Sequence, residues 1–228
     1  MENRNIVTID GPAGAGKGTL TERLCAHYGF AGLDTGSLYR AITLRLIEIG
    51  FDMDAVDPEA ATRETQKISD SHEILRYAKD PGIRSMLTNK YVSGVSKIPS
   101  LRQVIKQYQV DFGRNPPPLA DGRMAGGAVV EGRDIGTVIF PDAPVKLFVT
   151  ASAETRAARR TKQFLEQGET ASYPEVLKAI LERDHQDMTR RESPLVPAAD
   201  SVVIDTGEND KDATFALARK LIDGRLFA

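Results

Sequence analysis

The chain has 228 residues, with 30 lysines and arginines against 32 aspartates and glutamates, a formal net charge of −2 and a single cysteine. That length suits one α/β domain with an appendage and a sizeable core, and the charge balance argues against a general nucleic-acid binder while leaving room for a local basic pocket. Cys25 alone excludes an internal disulfide and fits a reducing compartment; Met1-Glu2-Asn3-Arg4 lacks the apolar core of a signal peptide, and no run of about 18 apolar residues exists for a membrane span, so a cytoplasmic location is expected.

Asn5-Ile6-Val7-Thr8-Ile9 is a β-branched apolar run and reads as a buried strand. Gly11-Pro12-Ala13-Gly14-Ala15-Gly16-Lys17-Gly18-Thr19 follows, then a helical stretch in which Leu20, Leu24 and Tyr28 share a face. Strand, glycine-rich turn and helix are the context of a phosphate-binding loop. Glycines let backbone N–H groups converge on an anion, and the helix N-terminus adds partial positive charge. Lys17 is placed to reach the terminal phosphates of a nucleoside triphosphate. Gly18 stands where the pattern G-x-x-x-x-G-K-[ST] has Ser or Thr, and Thr19 comes next. The plainer alternative, a glycine-rich turn beside a surface lysine, leaves the coincidence of glycines, lysine and hydroxyl unexplained.

Phe30-Ala31-Gly32-Leu33-Asp34 reads as a short second strand ending in a carboxylate. A helix follows from Leu38 to Gly50, with Thr35 or Ser37 as N-cap and Arg40 near its start. Pro58 opens another helix to about Ile68. Signals weaken from Ser69 to Pro99, a stretch that reads as an insertion, and Ser100 to Phe112 is again helical. Ala128-Val129-Val130-Glu131 is a third strand, and Gly132-Arg133-Asp134-Ile135-Gly136-Thr137 a loop behind it. Val145 to Val149 is a fourth strand. Ser152 then caps a helix carrying Arg156, Arg159 and Arg160, and Gly168 to Tyr173 is a loop. A helix from Pro174 to about Arg191, a fifth strand Ser201–Asp205 and an amphipathic helix from Asp210 to Asp223 complete the chain. Short apolar strands alternating with helices imply a five-stranded parallel sheet flanked by helices, with ligands beyond the carboxyl ends of the strands.

Arg156, Arg159 and Arg160 share one helix face, which is either a solvated basic face paired with Glu154 or Glu166, or a site where an anion joins three like charges. Arg183, Asp187 and Arg190 also share a face, either as a surface salt-bridge ladder or as ligand contacts. Arg40 lies just beyond the end of the second strand and suits a ligand role. The three histidines are scattered and make no metal-ligand pattern.

The run Gly132-Arg133-Asp134-Ile135-Gly136-Thr137-Val138-Ile139-Phe140-Pro141-Asp142-Ala143 resembles the bacterial cytidylate kinases. So do Ile9-Asp10-Gly11-Pro12 with the loop to Thr19, and Leu33-Asp34-Thr35-Gly36-Ser37-Leu38-Tyr39-Arg40. The likeness continues in Arg156-Ala157-Ala158-Arg159-Arg160, in Glu182-Arg183-Asp184 through Asp187 and Arg190, and in Pro194-Leu195-Val196-Pro197-Ala198-Ala199-Asp200. These pieces keep the family's order and span nearly the whole chain. Ala120-Asp121-Gly122-Arg123-Met124 nearly duplicates the Gly132-Arg133-Asp134 pattern; the latter is preferred because it follows a strand.

The resemblance implies a single P-loop kinase domain over 1–228, with a monophosphate-binding insertion at about 58–113 and a lid at about 156–173. The insertion is shorter than in many members, which carry a small extra sheet there. The implied reaction moves the γ-phosphoryl group of ATP to CMP or dCMP with Mg²⁺, in a monomer that binds neither nucleic acid nor membrane. By resemblance Gly11, Pro12, Ala13, Gly14, Ala15, Gly16, Lys17, Gly18 and Thr19 hold ATP with Arg159, and Thr19 takes the magnesium side. Lys17, Arg133, Arg156 and Arg160 are the implied catalytic charges. Asp34, Thr35, Arg40, Ser93, Arg102, Arg133, Asp134, Arg183, Asp187 and Arg190 are implied to hold CMP, with Ser93, Arg102 and Asp134 reading the base. The acceptor's phosphate is already anionic, so no general base is needed. An adenylate or uridylate kinase is the nearest alternative, but the Asp-Gly-Phe-Pro-Arg pattern of adenylate kinases is missing. A guanine-nucleotide switch would need Asn-Lys-x-Asp, and Asn89-Lys90-Tyr91 is followed by Val92.

Overall fold

The computed structural model describes residues 5–166, 168 and 170–227. Five strands form one sheet: β1 (Ile6–Asp10), β2 (Ala31–Asp34), β3 (Ala128–Gly132), β4 (Val145–Thr150) and β5 (Val202–Asp205). Their order is β2-β3-β1-β4-β5, and β1 runs parallel to both β3 and β4, as β4 does to β5. Ile6 pairs with Ala128 and Val7 with Val145, so β1 lies in the middle of the sheet. Every residue of β1 and β3 is buried, which is why both read as unbroken apolar runs rather than alternating ones.

Two units make up the chain: residues up to Leu33 together with those from Gly113 onward, and residues Asp34–Phe112. The first, the sheet unit, holds α1 (Lys17–Tyr28) and, later in sequence, the other helices that flank the strands. Leu20 and Leu24 of α1 pack with Val7, Ile9, Val129, Leu147, Ala218 and Ile222 in one apolar core. The chain leaves β1 at Gly11, whose φ is +148°; a Cβ there would lie 1.9 Å from the Val149 carbonyl oxygen, so only glycine fits the turn.

The second unit is helical throughout. It contains α2 (Thr35–Glu48), α3 (Pro58–Asp70), α4 (Glu73–Tyr77), α5 (Met86–Val95) and α6 (Pro99–Arg114), whose last residues pass into the sheet unit. Among the described residues no strand falls between 35 and 127, so no small extra sheet stands in the insertion. The weakly patterned stretch 69–99 is instead α4, a 3₁₀ turn at Pro81–Arg84 and α5. Arg45 ties this unit together, donating to Glu64 and to the Tyr77 hydroxyl.

In the sheet unit, α7 (Ala153–Glu166) and α8 (Tyr173–Thr189) follow β4, and α9 (Lys211–Leu226) closes the chain. Residues 194–200 run back as a strap. Its Leu195 N–H donates to the Asp187 carbonyl at 2.8 Å, and the buried Lys146 ammonium on β4 engages both Asp200 oxygens and the Pro141 carbonyl.

Candidate nucleotide site

The phosphate loop connects β1 to α1. Gly16, at φ +92°, caps α1 without a side-chain acceptor, so the first turn of N–H groups is not spent on a capping side chain. Lys17 is buried and donates to the carbonyls of Gly11 and Pro12, each at 2.9 Å. Its ammonium thus lies inside the curl of the loop, where a phosphate oxygen can replace a carbonyl. Gly14 is exposed on the loop and Gly18 and Thr19 on the first turn of α1, while Ala15 is buried.

The arginines of α7 do not form one solvated face: Arg156 is buried, Arg160 half-buried and Arg159 exposed. Arg156 is buried; its Nε donates to the Ala151 carbonyl, Nη1 to the Ala13 carbonyl of the phosphate loop, and both terminal nitrogens to Asp184. Arg159 donates to the hydroxyl and the carbonyl of Thr206, at 3.0 and 2.6 Å. That hydroxyl lies 3.0 Å from the Ala15 carbonyl, so α7 reaches the phosphate loop once directly and once through Thr206. Arg160 donates to Gln163 and stacks over the Phe164 ring.

The α8 face is not an isolated ladder either. Asp187 accepts from Arg133 Nε at 2.8 Å and is 4.0 Å from Arg183. Desolvation, then the like charges of Arg133 and Arg160, hold the Arg183 guanidinium below its usual range, although its side chain is 48% exposed. Three cations therefore gather there, with Asp187 and Asp184 offsetting part of their charge. Arg190 ends α8 and turns its Nε onto the Ser193 carbonyl. The helix stops at Thr189, two residues before the sequence pattern suggests.

Gly132 ends β3 and Arg133 and Asp134 follow it; what the sequence suggests is a loop then closes into one wide helical turn, Ile135–Ile139. Asp10 holds that turn: its buried carboxylate accepts from the N–H groups of Ile135 and Gly136, at 2.9 and 2.7 Å. Burial pushes the Asp10 carboxyl up to about 6, and nearby Asp134 adds to the rise. The competing Asp121-Gly122-Arg123 segment is an exposed turn whose aspartate and arginine pair with each other.

In the helical unit, Asp34 is the N-cap of α2, accepting from the N–H groups of Gly36 and Ser37 and from the Ser37 hydroxyl; neither Thr35 nor Ser37 takes that position. Thr35 is buried in the first turn. Arg40 donates to the Ile83 carbonyl and to the Asn89 side-chain oxygen, while Asn89 donates to the Arg84 carbonyl. Ser93 is exposed on α5. Arg102 donates to the Ser96 carbonyl at 3.3 Å, and the Ser96 hydroxyl donates to the Ser93 carbonyl, so Ser93 and Arg102 stand one residue apart in a chain of hydrogen bonds.

Asp184, Thr206 and Asn89 hold the arginines of the site, and their roles have no local signature in the sequence. The sequence marks Thr206 only by its place at the end of the fifth strand, Asp205-Thr206, on the ligand side of the sheet. Residues 7–217 match the cytidylate kinase family profile. A cytidylate kinase from Paramagnetospirillum magneticum is 44% identical over 220 residues, which cover 96% of this chain and 98% of that protein. One from Mesorhizobium japonicum is 41% identical over 218 residues, covering 95% of this chain and 93% of that protein. The fold resembles a crystal structure of an uncharacterized protein from Eubacterium ventriosum, with a TM-score of 0.53 at 13% identity, over 97% of this chain and 99% of that one.

Proposed function

The chain belongs to the cytidylate kinase family, and we propose that its phosphate loop, its arginines and the Asp134 carboxylate divide the work of moving a phosphoryl group between two nucleotides. The enzyme is an ATP-dependent nucleoside monophosphate kinase that transfers the γ-phosphoryl group of ATP to CMP or dCMP, giving ADP and CDP or dCDP. An oxygen of the acceptor's phosphate attacks the γ-phosphorus, and the bond from that phosphorus to the β-bridging oxygen breaks. The attacking oxygen is already anionic, so alignment and charge neutralisation carry the catalysis.

In this reading the backbone from Gly11 to Thr19 and Lys17 cradle the ATP phosphates, with Arg159 on the same nucleotide. Lys17, Arg133, Arg156 and Arg160 neutralise the charge on the group in transit. Arg40, Arg133, Arg183 and Arg190 hold the acceptor's phosphate, Asp187 orients Arg133 and meets the pentose, and Asp34 and Thr35 line the acceptor. Asp134, Arg102 and Ser93 read cytosine. The insertion at about 58–113 and the lid at about 156–173 are the working segments around the acceptor and ATP. The observation that carries the reading is the gathering of Arg133, Arg160 and Arg183 in the unit whose phosphate loop is bound to Arg156. Arg183, held below its usual range by burial and by the charges of Arg133 and Arg160, is stabilised by an anion among the three.

Among the described residues no three His, Cys, Asp or Glu side chains gather to hold a metal by themselves. That fits Mg²⁺, which is held mainly by phosphate oxygens with one or two protein groups. Thr19, exposed in the first turn of α1, would take it; Glu131 is buried beside the same turn, its Oε1 3.6 Å from where a Gly18 Cβ would stand. When bound, the ion neutralises charge on the β- and γ-phosphates. No helix among the described residues is long and apolar enough to cross a membrane. The enzyme acts on small-molecule nucleotides, and in this reading it does so as a monomer in the cytoplasm. Initial rates of ADP formation with a panel of monophosphates test the proposal. CMP and dCMP must exceed AMP and UMP in kcat/KM, and a preference for AMP or UMP would overturn it.

A further inference from the structure

Asp10 is the last residue of β1 and precedes the first glycine of the phosphate loop. Its side chain accepts from the amides just after Asp134. Each carboxylate oxygen takes one of two successive N–H groups, Oδ1 from Ile135 and Oδ2 from Gly136, so the clamp fixes both the position and the tilt of the turn. Asp134 supplies no side-chain cap to its own turn, so the acceptor for these N–H groups comes from a residue more than a hundred positions away. The approach is close on both sides: a Cβ at Gly136 would lie 2.8 Å from Thr8 Oγ1 and 3.4 Å from Asp10 Oδ2. A carboxylate that is 4% exposed beside a second carboxylate is a costly arrangement, and such arrangements gather at functional sites.

We infer that Asp10 is a positioning residue for the acceptor: it fastens the Asp134 turn to the strand that carries the phosphate loop and so fixes where Asp134 meets the base. The inference rests on the reading of Asp134 as a cytosine-reading group. Each of the two N–H donors is taken by its own carboxylate oxygen. Asparagine keeps the shape of aspartate but turns an NH₂ group onto one of those donors, leaving it unpaired. Asp10→Asn therefore tests the clamp with little change in volume. An effect confined to CMP marks positioning of the acceptor, whereas a general loosening of the phosphate loop would move ATP as well.

Steady-state kinetics on the full chain, with CMP and UMP varied at saturating ATP and ATP varied at saturating CMP, supply the test. In Asp10→Asn the KM for CMP rises and the CMP-to-UMP ratio of kcat/KM shrinks, each at least about tenfold, while the KM for ATP stays within about twofold. Gly136→Ala crowds the same turn against Thr8, Lys146 and the Asp10 carboxylate while leaving Asp10 itself unchanged, and it gives the same loss of selectivity. An unchanged ratio in both variants beside a shrunken one in Asp134→Asn overturns the role of Asp10 and leaves base reading by Asp134 standing. An unchanged ratio in Asp134→Asn itself overturns both. A rise in the KM for ATP as large as that for CMP reassigns Asp10 to the phosphate loop and overturns the inference. If Asp10→Asn does not fold, Gly136→Ala alone decides by the same ratio.

Discussion

Arg156 and Asp184 are joined by two hydrogen bonds, Nη1 to Oδ1 at 3.0 Å and Nη2 to Oδ2 at 2.5 Å, which bind α7 to α8. The pair is bidentate and mostly buried, with side chains 5% and 17% exposed. Asp184→Ala leaves the guanidinium without its counter-charge and costs about 3–5 kcal/mol of stability. Urea unfolding of wild type and variant measures this. A loss under about 1 kcal/mol would mean that the carbonyls of Ala151 and Ala13 suffice to hold Arg156.

Lys17→Met removes the one cation on the phosphate loop itself. The expected result is a fall in kcat of at least about a hundredfold, the scale for one preorganised charge contact. The fold is expected to survive, because in the proposed function the ammonium serves a bound phosphate rather than the core. Rates at saturating ATP and CMP, with a thermal melt alongside, decide it; near-normal kcat would remove Lys17 from the chemistry.

Asp187 orients Arg133 at 2.8 Å and stands 4.0 Å from Arg183. In Asp187→Ala the cations lose a partner that sets their geometry, so kcat/KM for CMP falls at least about tenfold. The stability loss stays near 1–3 kcal/mol, the range for one unmade hydrogen bond of a half-buried group. Parallel kinetics and melts separate this from a surface ladder, for which both effects would stay small, within about 0.5 kcal/mol in stability.

Cytosine offers an amino donor at position 4, where uracil has a carbonyl oxygen. A carboxylate there accepts from the first and repels the second. Asp134→Asn supplies a donor to uracil, so the CMP-to-UMP ratio of kcat/KM shrinks at least about tenfold, or about 1.4 kcal/mol. Measuring both substrates on both proteins checks this, and an unchanged ratio would place base reading elsewhere.

The Asp10 carboxyl is raised from 3.8 to about 6, first by burial and then by Asp134, against the lowering from the Gly136 and Ile135 amides and from Lys17. A folded pKa above the unfolded one means that the native state binds the proton more tightly. The carboxylate therefore costs stability above pH 6, and that cost fades as pH falls from 6 toward 4. Between pH 7 and 4 wild type should gain on Asp10→Asn by up to about 3 kcal/mol. Urea midpoints of the two proteins across that range measure the difference, and a constant difference would mean that Asp10 does not titrate there.

Strands were legible because buried parallel strands leave a plain mark: Ile6-Val7-Thr8-Ile9 and Ala128-Val129-Val130 are β-branched and end at glycines or carboxylates. The helix α3 was legible from Pro58 at its start. The helix α5 was not, since only Thr88 and Val95 of its residues are buried, too few to draw a stripe. The cap of α2 was misplaced because Asp34, Thr35 and Ser37 are all capping types, and only the backbone shows that Asp34 precedes the first turn. The arginines themselves could be read from spacing and resemblance. Their partners could not, because Asp184 lies 28 residues from Arg156 and Thr206 lies 47 from Arg159, and such pairings are made by tertiary packing.

The place of β1 in the sheet sets a schedule for synthesis. Its two neighbours, β3 and β4, begin at Ala128 and Val145, more than a hundred residues downstream. At about 5–20 residues per second on the ribosome, the strand and glycine-rich turn that open the chain wait on the order of ten seconds for partners. During that interval Asp34–Phe112 emerges whole, a run of local helical contacts that can form early. The nascent chain thus holds a buried-type strand, Ile6–Asp10, open to chaperones and to other copies until β4 has left the exit tunnel.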